Sequence, residues 1–449
     1  MTLVFEPRAH ASLFLLIFLL GATTRGVLRL AEAQLDLKST IQELSKWPCA
    51  DYSWQDCPQV VPHGGYEPAK WYEVTQWQAY TVLADDGETK GRDAYVYEAF
   101  QLLAALEDRE NARITVMQPF VLSPDQWPLS GYPVQRDLVI KADPSCGALI
   151  PGGECVIECS GQTLFVVTKD GTLDMRGLTL QNGGGRLGAF IYIAPGGSGR
   201  FEDVKFFKGA SAVGGAVGGA VMLTNADRGG VVPHNITFKR CNFTENAVSD
   251  GNGGALWIKQ AGLGWVIFDE CTFTSNQATK GSGGAVFSLG GRVIFAACNF
   301  TDNTAEAGGG LMLQGGGLVG GGIFTGNRAT ARSGGSIFMT GRNGLVQDTL
   351  FRRNSAAVEA GAVFVYGDAL FLTNSFVSNT AAYLYPDVYI CSDANKCTAY
   401  NRETKEFYEV PYEPFARQGS NPPVLVPEGV SEESDAGASG DTVASSSMK

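Results

Sequence analysis

Apolar and polar positions recur in a fixed order between about 212 and 382. A glycine pair leads a short apolar run: GGAVML around 219–223, GGALWI at 253–258, GGAVFS at 283–288, GGLMLQ at 309–314, GGSIFM at 334–339 and AGAVFV at 360–365. A β-branched run ending in phenylalanine follows, as ITF to Phe238, VIF to Phe268 and VIF to Phe295. Next comes C-x-F, closing on asparagine three residues after the phenylalanine. The F-x-x-N element appears as Phe243/Asn246, Phe273/Asn276, Phe300/Asn303, Phe324/Asn327, Phe351/Asn354 and Phe376/Asn379, at spacings of 30, 27, 24, 27 and 25. Upstream, Leu180 and Phe207 take the phenylalanine slot by spacing.

Short motifs returning every 20 to 50 residues mark a stacked architecture. Three strands and three turns fit a unit of about 25 residues, one turn of a right-handed parallel β-helix. Like positions then lie above one another at ~4.8 Å, and roughly ten coils make a rod of about 50 Å. Side chains alternate along a strand. Cys241, Cys271 and Cys298 therefore point inward with their phenylalanines, and the residue between them points outward. The asparagines fall at corners, where an amide bonds both to its ladder neighbours and to the turn backbone. The pattern predicts an all-β chain, with an amphipathic helix at 95–110 (Phe100, Leu103 and Leu106 on one stripe) capping the first coil.

The chain divides into a signal peptide at 1–33, an aromatic and cysteine-containing segment at 34–94 that packs on the cap, a β-helix at 95–400, and a C-terminal extension with an acidic, disordered tail at 401–449. The signal reading rests on the apolar run ASLFLLIFLLGA at 11–22 behind Arg8, with Ala31-Glu32-Ala33 as a cleavage site. No later run has membrane length, so no transmembrane span is expected in the mature chain. The 57 glycines, about 13% of 449 residues, exceed the usual ~7% and carry no collagen period. A net charge of −12 speaks against nucleic acid as a partner.

Ten cysteines suit an oxidising compartment. Cys49/Cys57 and Cys391/Cys397 are candidate disulfide pairs. Cys146, Cys155 and Cys159 bracket a Gly/Pro-rich loop whose pairing stays open. His10, His63 and His234 are the only histidines, and no C-x-x-C occurs, so no metal or cofactor is expected. The stacked Cys241, Cys271 and Cys298 read as apolar core thiols. Asn235, Asn242 and Asn299 open N-x-T sequons and are candidate glycosylation sites.

Glycine pairs alternating with F-x-x-N resemble the repeats of the polymorphic membrane proteins of chlamydiae. Together with GLTLQNGGG at 177–185 they resemble, more widely, the pectate-lyase-like β-helix superfamily. The bacterial proteins end in an outer-membrane barrel, for which the roughly 60 residues after the last coil leave no room. The resemblance implies a secreted or surface β-helix: an adhesin, cell-wall or glycan-binding scaffold whose partners are polysaccharides, cell-wall components or surface proteins. The alternative is a polysaccharide lyase or glycoside hydrolase, which needs clustered carboxylates or a Lys/Arg base on one face. Asp269-Glu270 lies at a corner, and Asp250 and Glu359 precede glycine-led strands; none forms such a cluster by spacing.

Overall fold

The computed structural model describes residues 91–148, 153–185, 188–211, 218–225, 236–260, 264–393, 396–401 and 403–410. Cys49, Cys57, the three histidines, Asn235, the 1–33 segment and the tail from 411 lie outside these residues. Over the repeat the chain winds as a parallel β-solenoid of ten turns, one per strand of the ten-stranded sheet that begins at Phe120–Val121 and ends at Ser375–Val377. No helix among the described residues is long and apolar enough to cross a membrane.

From Ala210–Ser211 onward the coils add a fourth, short strand segment to the three expected. The glycine-led strand and the β-branched strand share one 21-stranded sheet, and the C-x-F strand builds the ten-stranded sheet. Two residues after the asparagine, such as Ala247–Val248, add a short seven-stranded sheet. In the repeat the coils pair in register, Phe243 opposite Phe273 and Phe273 opposite Phe300.

Register explains the phenylalanine. Phe206, Phe243, Phe273, Phe300, Phe324 and Phe351 stack face to face at centroid distances of 4.5 to 5.1 Å. A second column, Phe201, Phe238, Phe268 and Phe295, stacks at 4.8 to 4.9 Å and meets the first edge-on. All ten rings are buried, so the core is a two-column aromatic stack. One upstream assignment shifts: Phe206, not Phe207, pairs with Leu180 and Phe243. Phe207 faces out, because the connection to the following coil is longer and conceals the one-residue difference.

Register also explains the glycine pair. The first glycine, at 253, 283, 308 and 334, sits at φ 58 to 71°, a left-handed region costly for other residues. The second cannot carry a side chain at all. A Cβ on Gly254 would overlap the Gly284 carbonyl oxygen, and one on Gly284 would overlap that of Gly309. The 309–314 unit accordingly starts one residue earlier than its lettering suggests, since Leu311 lies opposite Val286.

Two further corners per coil are left-handed without glycine: Asp203, Arg240, Glu270 and Ala297 before the third strand, then Lys208, Glu245, Ser275 and Asp302 after it. Each spends its backbone N–H on the next coil, as Arg240 N does on the Asp269 carbonyl at 2.8 Å. Inter-coil bonding thereby holds a conformation that single residues resist.

At the N-terminal end, Arg92–Val96 pairs in parallel with Asn111–Val116, and the helix Ala99–Glu107 crosses between them. Its buried face is Ala99, Leu102, Ala105 and Leu106. Phe100 is 55% exposed, so the expected Phe100/Leu103/Leu106 stripe is rotated by about one residue. At the other end the parallel stacking stops. Val388–Asp393, Lys396–Asn401 and Glu406–Val410 run antiparallel, with β structure reaching past residue 400. The Cys391–Cys397 disulfide ties the first two of these strands together. Tyr400 and Phe407 close the core against Phe376 and Phe371, at 4.9 and 5.7 Å.

Candidate functional site

The motif residues face inward, so chemistry available to a partner lies on the positions between them. On the third-strand sheet these form two outward columns. One runs Thr179, Lys205, Asn242, Thr272, Asn299, Ile323, Leu350, and the other Gln181, Phe207, Thr244, Thr274, Thr301, Thr325, Arg352. From Asn242 to Thr325 the eight positions carry no charge. Asn299 and Ile323 are exposed and the other six half-buried. Charge returns at both ends. Lys205 and Lys208 stand 5.2 and 4.8 Å from the Phe207 ring centroid, and Arg352 is exposed.

At its N-terminal end the first column opens into a cavity of about 420 Å³ lined by Asp143, Glu154, Cys155, Thr179, Asp203 and Lys205, among others. The Cys146–Cys155 disulfide shapes one wall. Glu154 accepts from Thr179 Oγ1 at 3.0 Å and pairs with Lys205 Nζ at 3.0 Å. Asp203 is held by Arg240, which also reaches Glu202, at 2.8 Å each; these carboxylates push the guanidinium's pKa up. Hydrogen bonds from the Ser145 side chain and backbone hold Asp143 below the usual carboxylate range. The cavity thus gathers three acidic side chains and one lysine at the solenoid surface.

A family model for the right-handed β-helix region matches residues 163–401, more than half the chain. The chain belongs to the right-handed β-helix family. No curated protein and no solved structure matches it. The matched span covers the whole regular repeat, including the uncharged columns, whereas the cavity draws Asp143 and Glu154 from just before it.

The asparagines at the corners are wholly internal. Asn246, Asn276, Asn303, Asn327 and Asn354 have no exposure and Asn379 has 2%. Each of the first five bonds to the next asparagine through its backbone N–H and its Nδ2, both directed at one Oδ1. Asn379 ends the column on Asp387 at 2.9 Å. Cys241, Cys271 and Cys298 are buried free thiols, as is Cys159. Burial raises the pKa of Cys241 and Cys271 well above that of an ordinary thiol, which leaves them un-ionised and unreactive. Cys146 takes Cys155 as its partner.

Asp269 stands opposite Lys239 and Ala296, apart from the cavity. Of the two acidic residues that precede glycine-led strands, Glu359 is buried and Asp250 is exposed. Sequence reasoning missed both the cavity and the threonine column. The cavity joins residues from four separate segments, which no spacing announces. The threonines were legible as an F-T pair at 243–244, 273–274, 300–301 and 324–325.

Proposed function

We propose that this β-helix protein is secreted or surface-exposed and acts without catalysis, as an adhesive, cell-wall or glycan-binding scaffold. The observation that carries this reading is the division of labour across each third strand. Cysteine, phenylalanine and asparagine are spent on the core, and the outward columns form a flat, regular face of hydroxyl and amide groups. A rigid rod that presents such a face suits holding an extended ligand.

Other features support the same reading. The glycine-pair and F-x-x-N repeats resemble those of chlamydial surface proteins, and disulfides accord with an oxidising compartment. The helix Ala99–Glu107, with Leu102 and Leu106 buried in the first coil, caps the solenoid's N-terminal end. Asn242 and Asn299 are outward and open to glycan attachment in a eukaryotic secretory pathway.

The alternative is a polysaccharide lyase or hydrolase of the pectate-lyase-like superfamily. Its best support is the cavity, where Glu154 and Lys205 sit 3.0 Å apart. One experiment separates the two. Glycan-array binding is measured alongside reducing-sugar and unsaturated-product release from polyuronides and glucans. The scaffold reading expects binding without turnover, and sustained product release from any substrate sinks it. Fusing residues 1–33 to a reporter tests secretion, and a reporter kept inside the cell overturns that part.

A further inference from the structure

We infer that the outward face between Asn242 and Thr325 docks an uncharged polysaccharide lying across the coils. The inference rests on the glycan-binding reading above and names its site and ligand class.

Three properties of the face lead there. The first is charge. Charged residues make up 18% of the chain, and the corners flanking the face carry Arg240 and Glu270 on one side and Glu245 and Asp302 on the other. Yet Asn242, Thr244, Thr272, Thr274, Asn299, Thr301, Ile323 and Thr325 are all neutral. A uronate or sulfated chain seated there would lose hydration and gain no counter-charge, whereas a neutral chain loses nothing comparable. The second is hydrogen-bonding character. Each hydroxyl and amide both donates and accepts, as a sugar hydroxyl does. Threonine methyls and the 41% exposed Ile323 supply the apolar contact that the C–H face of a sugar ring seeks.

The third is preorganisation. Threonine is stiff at χ1, and its Cα is held in register on both sides by parallel pairing. Thr244, Thr274, Thr301 and Thr325 therefore repeat at ~4.8 Å over about 14 Å. Little side-chain freedom remains to be lost on binding.

Asn242 and Asn299 belong to this face, so an N-glycan on either would stand where the ligand lies. Thr244 Oγ1 already donates to Asn242 Oδ1.

The test uses the whole chain, with insoluble neutral glucan and mannan against polygalacturonate and alginate. Binding to a neutral chain is expected to be insensitive to salt, because no ion pairs are involved. Thr274→Lys and Thr301→Lys should weaken it at least tenfold, and the isosteric Thr274→Val severalfold. Gln277→Lys, an exposed change on the neighbouring short sheet, should leave it intact. Thermal melts of each variant separate lost binding from lost fold. Binding to charged chains alone, or neutral binding untouched by the two lysine variants, overturns the inference and leaves the scaffold reading standing. A glycan found on Asn242 or Asn299 by mass spectrometry, or a dimer that the lysine variants dissolve, likewise removes the polysaccharide from this face. Failure to bind any glycan sinks the glycan-binding reading itself.

Discussion

Asn276 donates two hydrogen bonds to Asn303 without involving a charge: its backbone N–H and its Nδ2 both point at Asn303 Oδ1, each at 2.9 Å. Asn276 Nδ2 also donates to the Phe243 carbonyl of the preceding coil, at 2.9 Å. One amide therefore links three coils, and it does so wholly buried from solvent.

Asn303→Ala would leave the Asn276 N–H and amide without their acceptor and the Phe273 carbonyl without its donor. Unsatisfied buried groups of this kind predict a loss of about 2–4 kcal/mol, read by chemical denaturation. Asn303→Asp keeps the acceptor but buries a charge and loses the donor, so it should recover little at neutral pH. A loss below about 0.5 kcal/mol for the alanine variant would contradict the ladder's role.

Gly284→Ala tests the steric account of the glycine pair. Its Cβ would overlap the Gly309 carbonyl oxygen and the Thr304 backbone, so the coils must separate. Severe destabilisation is expected, on the order of 3 kcal/mol or more. Gly161→Ala is the comparison: its φ is +76° but nothing lies within 4 Å of a Cβ there. Only the left-handed penalty of ~1–2 kcal/mol applies to it. Equal melting temperatures for the two variants would refute the distinction.

Ser336 stands where Ala255, Ala285 and Ala362 stand in other coils. Its Oγ is buried and makes no hydrogen bond. Ser336→Ala removes a hydroxyl that gains nothing and is expected to stabilise the protein by about 1 kcal/mol. Differential scanning calorimetry should show a higher melting temperature; a lower one would mean the hydroxyl has a partner in solution.

Asp269 is half-buried, and burial, then the neighbouring Glu270, raise its carboxyl pKa, with Lys239 and Arg240 opposing. A raised folded-state pKa means the folded protein holds the proton more tightly than the unfolded chain. Its contribution is therefore complete below the carboxylate range and is lost as pH rises through it. Asp269→Asn should give a small rise in melting temperature at pH 7 that disappears near pH 3. A variant less stable than the parent at pH 7 would show that Lys239 and Arg240 outweigh the burial.

The recurrence of Phe243/Asn246 through Phe376/Asn379 determined the solenoid by itself. In a parallel stack, identical letters at one-coil spacing become identical neighbours in space. The C-x-F alternation likewise determined which of Cys241, Asn242 and Phe243 would face the core. Other features had no such periodic mark. Phe206 displaces Phe207 because register is set by backbone pairing, not by counting from the next copy across a longer loop. The helix buries Leu102 instead of Phe100 because the first coil decides which face it meets. The Cys146–Cys155 pairing closes a short loop that has no copy in the repeat, and the cavity of Asp143, Glu154, Asp203 and Lys205 joins segments far apart in the chain. A repeat fixes what each coil shares with the next, whereas a site is built where coils differ, and only the stacked chain brings those differences together.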